Sequence, residues 1–241
     1  MKNTRDTYLF IITIALALIA CLIMKYVFGL TGINSLILTH VILGGLAFLI
    51  GGVTLFSKKG SQLHKPTGKV FYISMVVSVS ITLVVSLFPS HESPTLFHIG
   101  VLSLYFLIGG KRSIDFKKPN HRLLVDRILA YSVVTVSLAI MLYTTLVDNY
   151  ISPLRIVFGV TGLGFGLLDL ILFRNSQNTK KKWLILHLSK MLGGYTAAVT
   201  AFLVAQNLLF GYFNWFVPTV FGLSYLNFWL FKLKTFKPAS I

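Results

Sequence analysis

The segment from Ser35 to Lys59 reads SLILTHVILGGLAFLIGGVTLFSKK, with no acid and no lysine or arginine before Lys58. A run of this length matches a hydrocarbon core roughly 30 Å thick, at about 1.5 Å of helix rise per residue. Because lipid offers the backbone no hydrogen bonds, such a run must be helical. The pattern recurs along the chain. We therefore predict an all-α, polytopic membrane protein with about eight transmembrane helices, at 8–28, 35–57, 69–89, 94–110, 128–148, 154–173, 183–209 and 213–231.

The composition supports a membrane protein and argues against a nucleic-acid-binding one. Hydrophobic residues make up 55% of the chain, charged residues 12%, and the mean hydropathy is +0.80. A soluble domain needs more polar surface than this. The net charge of +16 lies in short clusters between the apolar segments rather than along one face. That distribution indicates an interaction with the lipid bilayer and its anionic headgroups, and no nucleic-acid partner.

The basic clusters predict the orientation. They fill alternate gaps, at 58–68, 111–127 and 174–182, and both termini are basic as well. The remaining gaps hold little more than Arg155 and the flanking Lys25. Since lysine and arginine are enriched on the cytoplasmic side, we expect a multi-pass protein of the plasma membrane with both termini in the cytoplasm.

A sparse repeat suggests that the chain has two halves. The two copies read His64-x3-Gly68-x3-Tyr72 and His187-x3-Met191-x3-Tyr195, and each follows a glycine-rich segment and a lysine cluster. An even number of spans in each half preserves its orientation, so the halves would be parallel repeats. We predict two four-helix halves, 1–127 and 128–241, within one integral membrane unit.

The segment from His64 to Tyr72 reads HKPTGKVFY. It resembles the His-Arg-x-x-Gly-Arg-x-Tyr signature of a family of bacterial integral membrane proteins known by a domain-of-unknown-function label. Lys65 and Lys69 stand where that family usually has arginine. The resemblance is best over 35–89 and 183–231. It implies a protein of the bacterial inner membrane and implies no activity.

Histidines in the apolar segments are candidate cofactor ligands. His40 and His98 lie near the start of two segments that are predicted to enter from the outer face, at similar depth. Two imidazoles facing each other across a helical bundle can ligate a haem iron, which makes haem b the candidate cofactor. His64 and His187 occupy matching places in the two repeats and form a second candidate pair. The simpler alternative is that His40 and His98 each bond a carbonyl or hydroxyl group on a neighbouring helix, and that His64 and His187 meet lipid headgroups or water at the cytoplasmic boundary.

Asp169 is the acid that lies well inside a predicted span. A charge at that depth costs a few kcal/mol, so Asp169 should be buried in protein beside a partner. His187 and Lys190 open the next span at similar depth and are the expected partners. A structural ion pair is one interpretation. A proton or substrate site that includes Asp169, Lys190 and the repeat tyrosines Tyr72 and Tyr195 is a second. A third is that the Asp169 side chain reaches the membrane interface.

No sequence motif identifies a reaction. The chain has no phosphate-binding glycine loop, no His-Glu-x-x-His and no nucleophile elbow, and Cys21 is its single cysteine. A hydrolase or an ATP-driven pump is therefore disfavoured, no metal site is predicted, and enzymatic activity stays open. Three functions remain: membrane electron transfer through a histidine-ligated haem, transport of a small solute or coupling to protons, and non-enzymatic assembly with other membrane proteins.

Overall fold

The computed structural model describes residues 32–118, 121–147 and 152–235, and this part of the chain is helical without a β-strand. A 3-10 turn, Ile114–Lys117, follows the third helix. The α-helices are α1 (Gly32–Phe56), α2 (His64–Val85), α3 (Pro94–Ser113), α4 (Leu124–Leu146), α5 (Pro153–Leu172), α6 (Ser176–Gln206) and α7 (Phe213–Thr235).

The helices are those of a multi-pass membrane protein in length and composition. Of the seven α-helices within the described ranges, six are long and apolar enough to cross a membrane, and α3 is not among them. The prediction of an all-α fold rich in apolar helices is confirmed. The first predicted span, 8–28, lies outside the described residues, so the count of eight stays a prediction.

The described chain forms two compact units. The first comprises 32–104, 136–147 and 152–161, and the second comprises 105–118, 121–135 and 162–235. Helices α3, α4 and α5 each contribute one part to each unit. The predicted division into sequence halves at residue 127 stays a prediction.

In the first unit α1 packs against α2 through small side chains. A Cβ placed on Gly44 would lie 3.2 Å from the Ser78 hydroxyl oxygen, and one on Gly68 would lie 3.3 Å from the Thr54 methyl group. Ala47 is fully buried. Because lipid provides no hydrophobic force between helices, this close approach supplies the packing that holds α1 and α2 together.

In the second unit the 31-residue helix α6 is the longest and contacts both α7 and the 3-10 turn. The Asn175 side chain accepts a 2.9 Å hydrogen bond from the Gln177 amide and caps its start. Asn207 ends the helix in the left-handed conformation, with φ 49°. Further along α6, Gly193 and Gly194 lie against Phe106 and Leu107 of α3, at distances where added Cβ atoms would crowd those side chains. The glycine-lined face thus brings α3 and α6 together.

Candidate functional site

The candidate site is a buried cluster of three side chains in the second unit. Tyr105 is on α3, Asp169 on α5 and Lys190 on α6, and each residue is at most 4% exposed. The Lys190 ammonium forms an ion pair with Asp169 Oδ2. The Tyr105 hydroxyl donates a 2.7 Å hydrogen bond to the same oxygen. One carboxylate oxygen therefore accepts from both an ammonium and a phenol.

Two features of the surrounding helices position the Lys190 ammonium. A Cβ on Gly109 of α3 would lie 2.9 Å from Lys190 Nζ, so the bare backbone of this turn makes room for the lysine side chain. The ammonium also lies 4.4 Å from the centre of the Tyr105 ring and 5.9 Å from that of Phe173. The faces of aromatic rings attract cations, and the attraction grows when water is excluded. Tyr105 thus contacts both members of the ion pair.

The Tyr105 hydroxyl has a second acceptor. The backbone carbonyl oxygen of Phe165 lies 3.0 Å from it, one helical turn before Asp169 on α5. A phenol has one hydrogen to donate. It can donate to the ionised carboxylate, or donate to the carbonyl and accept from a protonated carboxyl group. The hydroxyl can therefore remain hydrogen-bonded whether Asp169 is ionised or protonated, because both acceptors already lie within reach.

Of the two partners predicted for Asp169, the structure selects Lys190. Burial of the acid beside that lysine is confirmed. His187 instead places its Nδ1 atom 2.8 Å from the backbone carbonyl oxygen of Gly110. Neither repeat tyrosine supplies the hydroxyl: Tyr195 lies further along α6, and Tyr72 is on α2 in the first unit. Their predicted role at a proton or substrate site stays a prediction.

The histidines predicted to bind a cofactor each bond a neighbouring helix. His40 Nδ1 lies 2.9 Å from the Ser78 hydroxyl and 3.0 Å from that of Thr82, both on α2. His98 is 1% exposed, and its Nε2 lies 3.0 Å from the Ser137 hydroxyl on α4. The simpler alternative, bonding to a hydroxyl or carbonyl group across a helix interface, describes both contacts, and haem ligation stays a prediction.

His64, of the second candidate pair, lies at the start of α2 in the first unit. Its Nδ1 is 3.1 Å from the Thr54 carbonyl oxygen and 3.2 Å from the Ser57 hydroxyl, both near the end of α1. This histidine therefore ties the two ends of the α1–α2 connection together. Within the described ranges no group of three or more histidine, cysteine or acidic side chains is arranged to hold a metal ion.

Sequence reasoning missed a second buried carboxylate, in the 111–127 gap. Arg112 binds Asp126 through two nitrogens, with Nε–Oδ1 at 2.9 Å and Nη2–Oδ2 at 2.8 Å. His121 Nε2 lies 3.0 Å from Asp126 Oδ2, and its ring packs on Phe116. The available signal was an acid five residues after a histidine, in the first turn of a helix, where a negative charge is favoured. The cluster holds the α3–α4 connection to the start of α4.

Tyr105 was missed as well, because aromatic residues in membrane spans are usually read as packing or anchoring groups. The pair Gly109-Gly110 one turn later was the available signal, since adjacent glycines on a span indicate a close approach.

Comparison with known proteins adds no family to these observations: no family model matches the chain, and no curated protein or solved structure is significantly similar to it. In the His64 segment, Phe71 stands at the position of the signature tyrosine and Tyr72 follows it. The family resemblance therefore stays a prediction.

Proposed function

We propose that this protein is a multi-pass membrane transporter that carries a small anionic solute together with a proton, using Asp169, Lys190 and Tyr105. The observation that carries the proposal is the buried ion pair whose carboxylate also accepts from a phenol. Ionisable groups inside membrane proteins are costly, and they are typical of proton relays and solute pathways.

Charge balance determines the class of solute. With Asp169 ionised and Lys190 protonated, the buried pair has no net charge. When a proton binds to Asp169, the Lys190 ammonium loses its counter-ion. An anionic group of the solute then replaces the carboxylate beside Lys190, and the site is neutral again. Both states avoid an isolated charge in apolar surroundings, whereas a cationic solute would leave two positive charges together.

Tyr105 makes this exchange possible without an unsatisfied polar group. When Asp169 is ionised, the hydroxyl donates to it. When Asp169 is protonated, the carboxyl group donates to the phenol oxygen, and the hydroxyl hydrogen turns to the Phe165 carbonyl. Because buried polar groups are costly when unpaired, it matters that this alternation leaves the phenol and the carboxyl group hydrogen-bonded in both protonation states.

Solute-driven acidification of proteoliposomes tests the proposal. The purified full chain is reconstituted with a pH-sensitive dye inside the vesicles, and small carboxylates, acidic amino acids and inorganic anions are added outside in turn. Co-transport of one proton with one monovalent anion acidifies the lumen without generating a current. We therefore expect acidification that persists when the membrane potential is clamped.

A charge-neutral double variant separates transport from folding. Asp169→Asn with Lys190→Met removes the ion pair without leaving one charge unpaired, and it should abolish acidification. Asp115→Asn with Lys118→Met is the matched control, since this pair is exposed and lies outside the site. Acidification that survives in the double variant, or that no anion elicits in the wild-type protein, would show that the buried pair is only structural.

A further inference from the structure

An open groove of about 480 Å3 lies between α4 and α5 in the second unit, near the start of α4 and the end of α5. It is lined by Arg127, Tyr131, Leu167, Leu170, Ile171 and Arg174. The arginines lie at the helix ends. The apolar and aromatic residues extend from there toward the middle of the two helices. The groove is therefore basic at one end and apolar along the rest of its length.

The charges at the basic end of the groove favour the binding of an anion. Arg127 Nη2 donates a 2.9 Å hydrogen bond to the Phe173 carbonyl oxygen, which holds the guanidinium at the end of α5. The Arg174 side chain is exposed and makes no hydrogen bond or ion pair with any described residue. No acid lines the groove. The nearby carboxylates of Asp126 and Asp169 are already bound to Arg112 and Lys190.

The rest of the groove is suited to hydrocarbon. Tyr131 and Ile171 are each 60% exposed, and Leu167 is 48% exposed. On helices long and apolar enough to cross a membrane, such a face meets lipid acyl chains. A free phosphate ion would use the arginines and leave this apolar surface uncovered.

We propose that this groove is a binding site for an anionic phospholipid. The phosphate diester lies between Arg127 and Arg174, and one acyl chain follows Tyr131, Leu167 and Ile171. Arginine binds phosphate oxygens through charge-assisted, paired hydrogen bonds. Basic pockets between membrane helices on the cytoplasmic side are suited to acidic lipid headgroups. The site is independent of the proposed transport reaction, because it uses none of the residues of the Asp169 cluster.

Lipid retention and thermal melting of the purified full chain in detergent test the site. Three probes are added separately: phosphatidylglycerol, phosphatidylcholine with the same acyl chains, and inorganic phosphate. We expect phosphatidylglycerol alone to remain bound in native mass spectra and to raise the melting temperature. Arg127→Gln with Arg174→Gln should weaken its binding about tenfold or more, since each arginine contributes charged hydrogen bonds.

Two further variants keep the result interpretable. Lys181→Gln with Lys182→Gln removes the same charge from the predicted cytoplasmic boundary outside the groove, and it should bind phosphatidylglycerol as the wild-type protein does. Arg174→Gln alone breaks no hydrogen bond to a described residue, so it should fold normally and bind several-fold more weakly.

Three outcomes would overturn the proposal. Equal binding of phosphatidylcholine would show that the net negative charge of the lipid headgroup does not determine binding. Equal stabilisation by inorganic phosphate would identify an ion site without a lipid chain. Unchanged binding in both arginine variants would place the lipid elsewhere on the protein.

Discussion

The Tyr105 hydroxyl donates to the Asp169 carboxylate at 2.7 Å, although 64 positions separate the two residues in the sequence. The bond joins α3 to α5, and Lys190 completes the cluster from α6. Three helices of the second unit therefore meet at one carboxylate. This convergence makes the cluster important for stability as well as for the proposed proton coupling.

Removing one member of the ion pair should cost more than removing both. Asp169→Leu leaves the Lys190 ammonium buried without a counter-ion, and we expect a loss of about 3–5 kcal/mol in the free energy of unfolding. Asp169→Leu with Lys190→Leu removes both charges and should lose less than the acid change alone. Reversible unfolding of the protein in mixed micelles measures both values. Lys190→Leu alone completes the double-mutant cycle, and additive effects of the two single changes would contradict direct pairing.

Two glycines on α5 form a matched pair for testing the close approach of α4 and α5. A Cβ on Gly166 would lie 2.6 Å from Val134, 2.9 Å from Val133 and 3.1 Å from the Ala130 carbonyl oxygen. A Cβ on Gly164 would meet nothing within 4 Å. Gly166→Ala should therefore destabilise the protein by about 1–3 kcal/mol.

Gly164→Ala should be neutral or stabilise the helix by up to about 1 kcal/mol, because alanine is the better helix former. The melting temperatures of the two variants provide the comparison. Similar losses in both would mean that α4 and α5 do not approach as closely at Gly166 as the structure describes.

The Asp169–Lys190 pairing could be anticipated, whereas the other contacts of the cluster could not. An acid in a predicted span must find a partner, and few candidates lay at its depth. Tyr105 and Gly109 become neighbours of Lys190 only through the packing of α3 on α6, and no local sequence pattern predicts that packing. The apolar pattern assigns Arg112 and Asp126 to a loop, but α3 extends to Ser113 and α4 begins at Leu124. Apolar runs mark the lipid-facing length of a helix and miss its capped, charged ends.

The α6 boundaries illustrate the same limit. The apolar pattern predicts a start at 183, but the helix begins at Ser176 because Asn175 caps it. Its first turns carry Lys180, Lys181 and Lys182, which a hydropathy pattern assigns to a loop.

Replacing Arg112 with lysine should measure how much the paired hydrogen bonds to Asp126 contribute to the free energy of unfolding. Lysine keeps the charge but cannot bind both carboxylate oxygens with a planar group. Since Asp126 is buried and Arg112 is mostly covered, we expect Arg112→Lys to lower the free energy of unfolding by about 1–2 kcal/mol. Lys118→Gln, which breaks the exposed pair with Asp115, should change it by less than about 0.5 kcal/mol. Equal effects would indicate that solvent screens both pairs alike.

The contact between His98 and Ser137 allows a test of the histidine's role. If the imidazole serves as an interhelical hydrogen-bonding group, His98→Leu and Ser137→Ala should be non-additive in a double-mutant cycle. The expected coupling is about 0.5–2 kcal/mol, the usual range for side chains in contact. The protein purified from haem-replete cells should then show no Soret band. A Soret band that disappears in both His40→Leu and His98→Leu would instead assign haem ligation to the two histidines.

Reporter fusions test the predicted orientation of the chain. The basic residues at 58–68, 111–127 and 174–182 favour the cytoplasmic side, as do those of both termini. Fusions after Lys182 and after Ile241 should therefore both give a cytoplasmic signal, and a fusion in the 90–93 connection between α2 and α3 should not. Added lysines provide the control. Lysines added at 90–93 should lower the fraction of molecules in the predicted orientation, whereas lysines added at 58–63 should leave that fraction unchanged. A periplasmic signal at Ile241 together with a cytoplasmic signal after Lys182 would require an odd number of spans between these two points and would contradict the predicted topology.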